Sequence, residues 1–152
     1  MREKERIGGI MYVDNLVKVT IRSISGAVVP AGDIFSRLGD QGISVQFIVQ
    51  AGSDHLIFCV AQEDLKTTGS LLAALGTGVE DLQDQAPVGV VSIFGPDFRQ
   101  RPGVAGRMFT ALLQGDIPIK GISASISTVS CLVEGHQVAE AVEALEAVFS
   151  RP

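Results

Sequence analysis

Val17-Lys18-Val19-Thr20-Ile21-Arg22-Ser23-Ile24 is a β-branched, alternating run, the pattern of a half-buried strand. Its centre, Val19-Thr20-Ile21, returns as Val91-Ser92-Ile93 in the second half of the chain. The echo continues in register on both sides. Phe35-x-x-Leu38 recurs as Phe109-x-x-Leu112, and Gly42-Ile43-Ser44-Val45 as Asp116-Ile117-Pro118-Ile119. Ile57-Phe58-Cys59-Val60 recurs as Val129-Ser130-Cys131-Leu132. A self-match over such a span points to two copies of one small domain. Together they fill the 152 residues and leave no length in the chain for a separate catalytic domain.

Each copy reads as an alternation of strands and helices. After the opening strand comes a loop at Ser25 to Pro30, then a helix over Ala31 to Asp40 with Ile34, Phe35 and Leu38 on one face, closed by Gly42. Strands follow at Ser44–Gln50 and His55–Ala61 around the turn Ala51-Gly52-Ser53-Asp54. A helix from Glu63 to Leu75 and a short strand at Val79–Leu82 end the first copy. This order, β-α-β-β-α-β, is the ferredoxin-like split βαβ. The second copy repeats it with strand Val88–Phe94, a helix over Val104–Leu113, strands Ile119–Ser125 and Thr128–Glu134, and a helix over Val138–Phe149. Ser150-Arg151-Pro152 is too short for a fourth strand, so this copy is one strand short.

A spare strand, Ile7-Gly8-Gly9-Ile10-Met11-Tyr12, precedes the first copy. An unpaired sheet edge is a liability, and residues 7–12 can cure it by completing the second sheet. The predicted fold is therefore α+β, with two βαββαβ units, the first inserted in the second. The first unit spans 16–86, and the second takes 1–15 plus 87–152. A disordered N-terminus beside a three-stranded second sheet is the other arrangement the pattern allows.

Composition narrows the function. The chain is 46% hydrophobic with no tryptophan and one tyrosine, which describes a compact aliphatic core. A net charge of -5 argues against a partner held by nucleic-acid phosphates. No apolar run approaches the roughly 18 residues of a membrane-spanning helix, and Ile7 to Tyr12 is too short for a signal-peptide core, so a cytoplasmic protein is expected. Cys59 and Cys131, at matching strand positions of the two copies, read as core residues rather than a disulfide or metal pair.

With that layout, the residues resemble the regulatory tail of aspartate kinase, a tandem pair of ACT domains. Ile7-Gly8-Gly9-Ile10-x-x-x-x-Asn15 is similar to the family's first strand. Val17–Ile21, Ile34-Phe35-x-x-Leu38 and Ile43-x-Val45-x-x-Ile48-Val49-Gln50 are similar to its first ACT unit. Pro102-Gly103-Val104-Ala105, Met108-Phe109-x-Ala111-Leu112, Ile117-x-Ile119-x-x-Ile122-Ser123-x-Ser125 and Ala141-Val142-x-Ala144-Leu145 are similar to its second. The resemblance implies a ferredoxin-like module that binds lysine, threonine or both and inhibits the kinase step. It implies a homodimer through ACT units, and a catalytic aspartate kinase subunit or domain as partner. Some family members make this tail as a separate small subunit. A chain opening at Met1 just ahead of the first strand fits that subunit, although an excised fragment would read the same.

The resemblance also implies where an effector would lie: between the loop after the first strand and the second strand of each unit. There an α-carboxylate meets backbone N–H groups at a helix start, and an α-ammonium meets carbonyl or carboxylate oxygens. Carried onto this chain, the candidate contacts are Ser25, Gly26, Val29, Pro30, Ala31 and Gln50 in the first unit. In the second they are Ile117, Pro118, Ile119, Ser123 and Ser125. The chain departs from the family at these places. The loop pattern Asp-x-Pro-Gly is Gly26-Ala27-Val28-Val29, with Pro30 displaced, and an expected Asn is Pro118, which has no N–H. Two alternatives follow: an assembly subunit with a silent or altered site, and a free-standing ACT sensor of another pathway.

Other features carry less. His55 and His136 lie at turn or helix-start positions with no cluster around them, and no metal-ligand spacing occurs, so neither a metal nor a cofactor is expected. Gly103-Val104-Ala105-Gly106 lacks the Lys-Ser/Thr of a phosphate loop. Arg99, Arg101 and Arg107 read as a solvated loop before they read as a basic patch for a carboxylate. No nucleophile–His–carboxylate set is present, which argues against catalysis.

Overall fold

The computed structural model describes residues 3–22, 29–76, 79–81 and 86–152. The chain divides into two compact units, one of Asn15–Pro87 and one of Met1–Asp14 with Val88–Pro152. We call them the inserted and the split unit. Strand β2, Gly9–Arg22, runs through the boundary and serves both sheets, with Asn15 in the left-handed region at φ 55°.

In the inserted unit, β2 pairs antiparallel with β4 (His55–Ala61) from Leu16↔Ala61 to Arg22↔His55. β4 pairs with β3 (Gln46–Ala51), and β5 (Val79–Asp81) pairs with β2 at Thr20 and Ile21. The order β3-β4-β2-β5 is that of a ferredoxin-like sheet. Helices α1 (Ala31–Asp40) and α2 (Leu65–Ala74) accompany it, and the core is Val19, Ile21, Ile34, Leu38, Leu56, Phe58, Val60 and Leu72. Ile34 and Leu38 are four apart, so both fall on one helical face and meet the alternate strand residues. The rings of Phe35 and Phe58 pack edge to face, 5.3 Å between centroids.

The split unit follows the same plan. β6 (Val88–Phe94) pairs antiparallel with β8 (Thr128–Glu134), and β8 with β7 (Gly121–Ala124). The first part of β2 completes the sheet. The Gly8 N–H donates to the Phe94 carbonyl at 2.7 Å, and at the other end Gly89 faces the Val13 carbonyl. Two glycines make close approaches feasible: a Cβ on Gly9 would lie 2.5 Å from the Phe94 ring, and one on Gly89 would lie 3.1 Å from the Val13 carbonyl and 2.3 Å from Cγ2 of Val138 on the last helix. Helices α3 (Val104–Gln114) and α4 (Val138–Glu146) supply Met108, Leu112, Ala141 and Leu145 to a core shared with Val91, Ile93, Cys131 and Val133.

Several details differ from the sequence reading, and the first is that the strands expected at 7–12 and 17–24 are one continuous strand, Gly9–Arg22. α4 ends at Glu146 rather than Phe149, because Phe149 turns inward and is buried in the core. Phe149–Ser150 then forms a short strand, β9, parallel to β1 (Glu5–Arg6), so the chain's end pairs after all. The cysteines do not occupy matching positions. Ile21 pairs with Leu56 and Ile93 with Val129, which aligns Cys131 with Phe58 and Cys59 with Leu132. Cys131 belongs to the helix-side core, whereas Cys59 lies opposite Lys18 on the other face. Both thiols are free and buried, and burial pushes each up to about 12.

Candidate effector site

In the inserted unit, Ser25 and Gly26 lie outside the described residues. The chain resumes at Val29, which is buried, and its N–H donates to the Ser53 carbonyl at 2.8 Å. This bond draws the segment ahead of α1 against the β3–β4 hairpin and so brings Val29, Pro30 and Ala31 to the hairpin that Gln50 enters. The donors are partly committed. Ala31 N–H goes to the Val29 carbonyl at 2.8 Å, and Ile34 N–H to that of Pro30 at 3.0 Å. Asp33 stands in the first turn, where its charge complements the helix dipole. Gln50 is exposed and pairs with Leu56, so it shares the helix-facing side of the sheet.

The split unit disperses its candidates. Ser123 pairs with Ser130, whose hydroxyl lies 2.6 Å from that of Ser92, making a row of serines across three strands. That row lies on the face away from Cys131 and Val91 and therefore away from the helices. Gln50 and Ser123 thus occupy opposite faces in their respective units. Ser125 donates its N–H to the Thr128 carbonyl at 2.8 Å in the hairpin. Ile117 is buried, Pro118 exposed and Ile119 half-buried, all beyond the C-terminus of α3. An eleven-residue helix separates them from Gly103 by roughly 16 Å. Ile117 N–H caps that end by donating to the Leu112 carbonyl at 3.0 Å, after Asp116 turns the chain at φ 59°.

The loop from Gly95 to Gly103 is anchored from both sides. Gly95 and Phe98 donate to the carbonyls of Ser127 and Ile126, and the Phe98 ring enters the core. Asp97 caps the following turn by accepting the Arg99 N–H at 2.9 Å, and the Arg99 guanidinium holds its carboxyl below the usual range. Arg99 itself is solvated, as the sequence suggests, but Arg101 and Arg107 are not. Arg101 approaches Glu5 at 2.6 Å and lies 5.8 Å from the Phe98 ring centroid, while Arg107 approaches Glu5 at 3.4 Å. The hydrogen bond from Arg101 holds the Glu5 carboxyl below its ordinary value, against the opposing effect of burial. Sequence reasoning missed this cluster, because nothing periodic links residues about a hundred positions apart. A groove of about 630 Å³ beside α3 is lined by Glu5, Gly103, Arg107, Thr110 and Gln114 among others. Among the described residues no cluster of His, Cys, Asp and Glu could hold a metal ion, and no helix is long and apolar enough to cross a membrane.

Sheet order, helix placement and loop-to-hairpin contacts define each unit as an ACT-type ferredoxin-like domain, and the ACT domain family matches residues 91–149. The chain is 30% identical over 154 residues to aspartokinase 2 of Bacillus subtilis (strain 168), a match covering 98% of the chain and 38% of that protein. An aspartokinase of Bacillus sp. (strain MGA3) is 29% identical, again with 38% of its length covered, so the chain spans little over a third of these curated relatives. Among solved structures, that of aspartokinase alpha and beta subunits superposes with a TM-score of 0.77 at 27% identity, covering 93% of this chain and 97% of that one. The regulatory subunit of aspartate kinase from Thermus thermophilus, ligand-free, also gives 0.77, at 20% identity, over 95% and 99% of the two chains, and so shares the fold. In sequence the chain is thus similar to one part of these aspartokinases, and in fold to separate aspartokinase subunits.

Proposed function

We propose that this chain is a non-catalytic regulatory module of an aspartate kinase, binding an end-product amino acid, threonine or lysine, for feedback inhibition. The observation that carries the reading is the match to aspartokinases along 98% of the chain. In this reading the chain forms a homodimer through its ACT units, associates with a catalytic aspartate kinase subunit or domain, and works in the cytoplasm. The effector lies at an ACT–ACT seam, with Gln50 and the Val29–Ala31 segment as its contacts in the inserted unit. A ligand that prefers one dimer arrangement biases the equilibrium by its difference in affinity alone.

The test is a thermal-shift screen of the chain against the twenty amino acids. Binding at about a hundred times Kd stabilises by about 2.7 kcal/mol. The expected result is a rise with threonine or lysine that Gln50→Ala abolishes. A rise with a different amino acid would instead mark a sensor of another pathway. A flat screen would favour the second reading, an assembly subunit with a silent site. That reading draws support from Val29, whose N–H is already engaged by Ser53, and from Pro118, which has none to offer.

A further inference from the structure

Arginine side chains grip the N-terminal segment in addition to its backbone pairing with β9. Two arginines flank the Pro102-Gly103 start of α3, and each takes hold of the segment twice. Arg101 donates to the Glu5 carboxylate at 2.6 Å and also to the Arg6 carbonyl. Arg107 donates to the other Glu5 oxygen at 3.4 Å and also to the Glu3 carbonyl. The backbone adds its own ties: Glu5 N–H to the Val148 carbonyl and Ile7 N–H to that of Ser150, each at 2.9 Å. Arg101 rests on Phe98, which anchors the Gly95–Gly103 loop through Ile126.

We infer that residues 3–7 form a strap which Glu5 locks to Arg101 and Arg107, so that releasing the strap also loosens the Gly95–Gly103 loop and the start of α3. Both arginines are mostly covered, with side chains 25% and 14% exposed, and losing Glu5 leaves two desolvated cations on one side of the loop. Arg101 then keeps only the Arg6 carbonyl and the Phe98 ring as its described partners, and the lid on the loop's anchor is weakened. This device does not depend on any effector.

Amide hydrogen exchange on the full chain, resolved residue by residue, tests the coupling. In Glu5→Gln the Ile7 amide should exchange faster by about fivefold, and the Phe98 amide should accelerate with it, while β8 amides stay protected. Arg99→Gln, whose arginine pairs with Asp97 alone among the described residues, should change neither. Acceleration at Ile7 without Phe98, or at neither, overturns the inference. So does an equal response in Arg99→Gln. If Glu5→Gln also exposes β8, the chain has opened globally, and Arg101→Lys, which keeps the charge and loses the fork, decides by the same two amides.

Discussion

The two units share a plan and differ at the positions where each must fit its own surroundings. Val17 of the inserted unit pairs with Val60, and its counterpart Gly89 in the split unit pairs with Val133. The valine is buried without difficulty, yet the glycine has Val138 where a side chain would go. Thr68 on α2 corresponds to Ala141 on α4, and both are fully buried. Gly42 and Asp116 make the same left-handed turn after the first helix of each unit, at φ 73° and 59°. A duplicated fold therefore tolerates exchange at its turns but not in its helix–sheet contacts, where each copy has settled on its own complementary volumes.

Exchanging residues between the units tests that view. The largest effect is expected from Gly89→Val, which copies Val17 into the split unit. Overpacking against Val138 and the Val13 carbonyl should cost about 2 to 3 kcal/mol, read as a lower denaturant midpoint at unchanged slope. A loss under about half a kcal/mol would mean that α4 shifts freely on the sheet. Thr68→Val works in the other direction. Among the described residues the buried Thr68 hydroxyl has no hydrogen-bond partner, so replacing it with a methyl should raise stability by about 1 kcal/mol. A destabilised variant would show that the hydroxyl is satisfied in solution.

The smallest effect belongs to the Glu5 clamp, which has no equivalent among the described residues of the inserted unit. Its carboxyl is held below the ordinary 4.5 in the fold, so its contribution is fully present above that value and disappears as pH falls through the lowered one. The stability gap between the natural chain and Glu5→Gln should be under about 1 kcal/mol near neutral pH and should close in acid. A gap that persists at pH 2 would assign the difference to packing.

Much of the fold was legible because β-branched runs and i, i+4 apolar pairs declare themselves locally. His55–Ala61, Val88–Phe94 and Ala31–Asp40 have the bounds their patterns suggest. What escaped depends on register and distance. Ile57-Phe58-Cys59-Val60 and Val129-Ser130-Cys131-Leu132 look alike as strings, but strand pairing displaces them by one residue, which puts the two cysteines on opposite faces of their sheets. Phe149 fits a helical spacing yet is drawn into the core by burial. The candidate site was legible only by resemblance, since a pocket for an amino acid is built largely from backbone groups that leave little trace in side-chain identity.

The placement of the two cysteines has a practical outcome. Cys131 belongs to the helix-side core of the split unit, whereas Cys59 is buried on the sheet face away from the inserted unit's core. Each thiol resists ionisation until its burial is relieved, the thiolate being the reactive form. Alkylation of Cys131 therefore times the opening of the split unit's core, and alkylation of Cys59 times the uncovering of the opposite sheet face in the inserted unit. The chain carries two native clocks on opposite sheet faces, and both can be read in a single mass spectrum without a label being engineered.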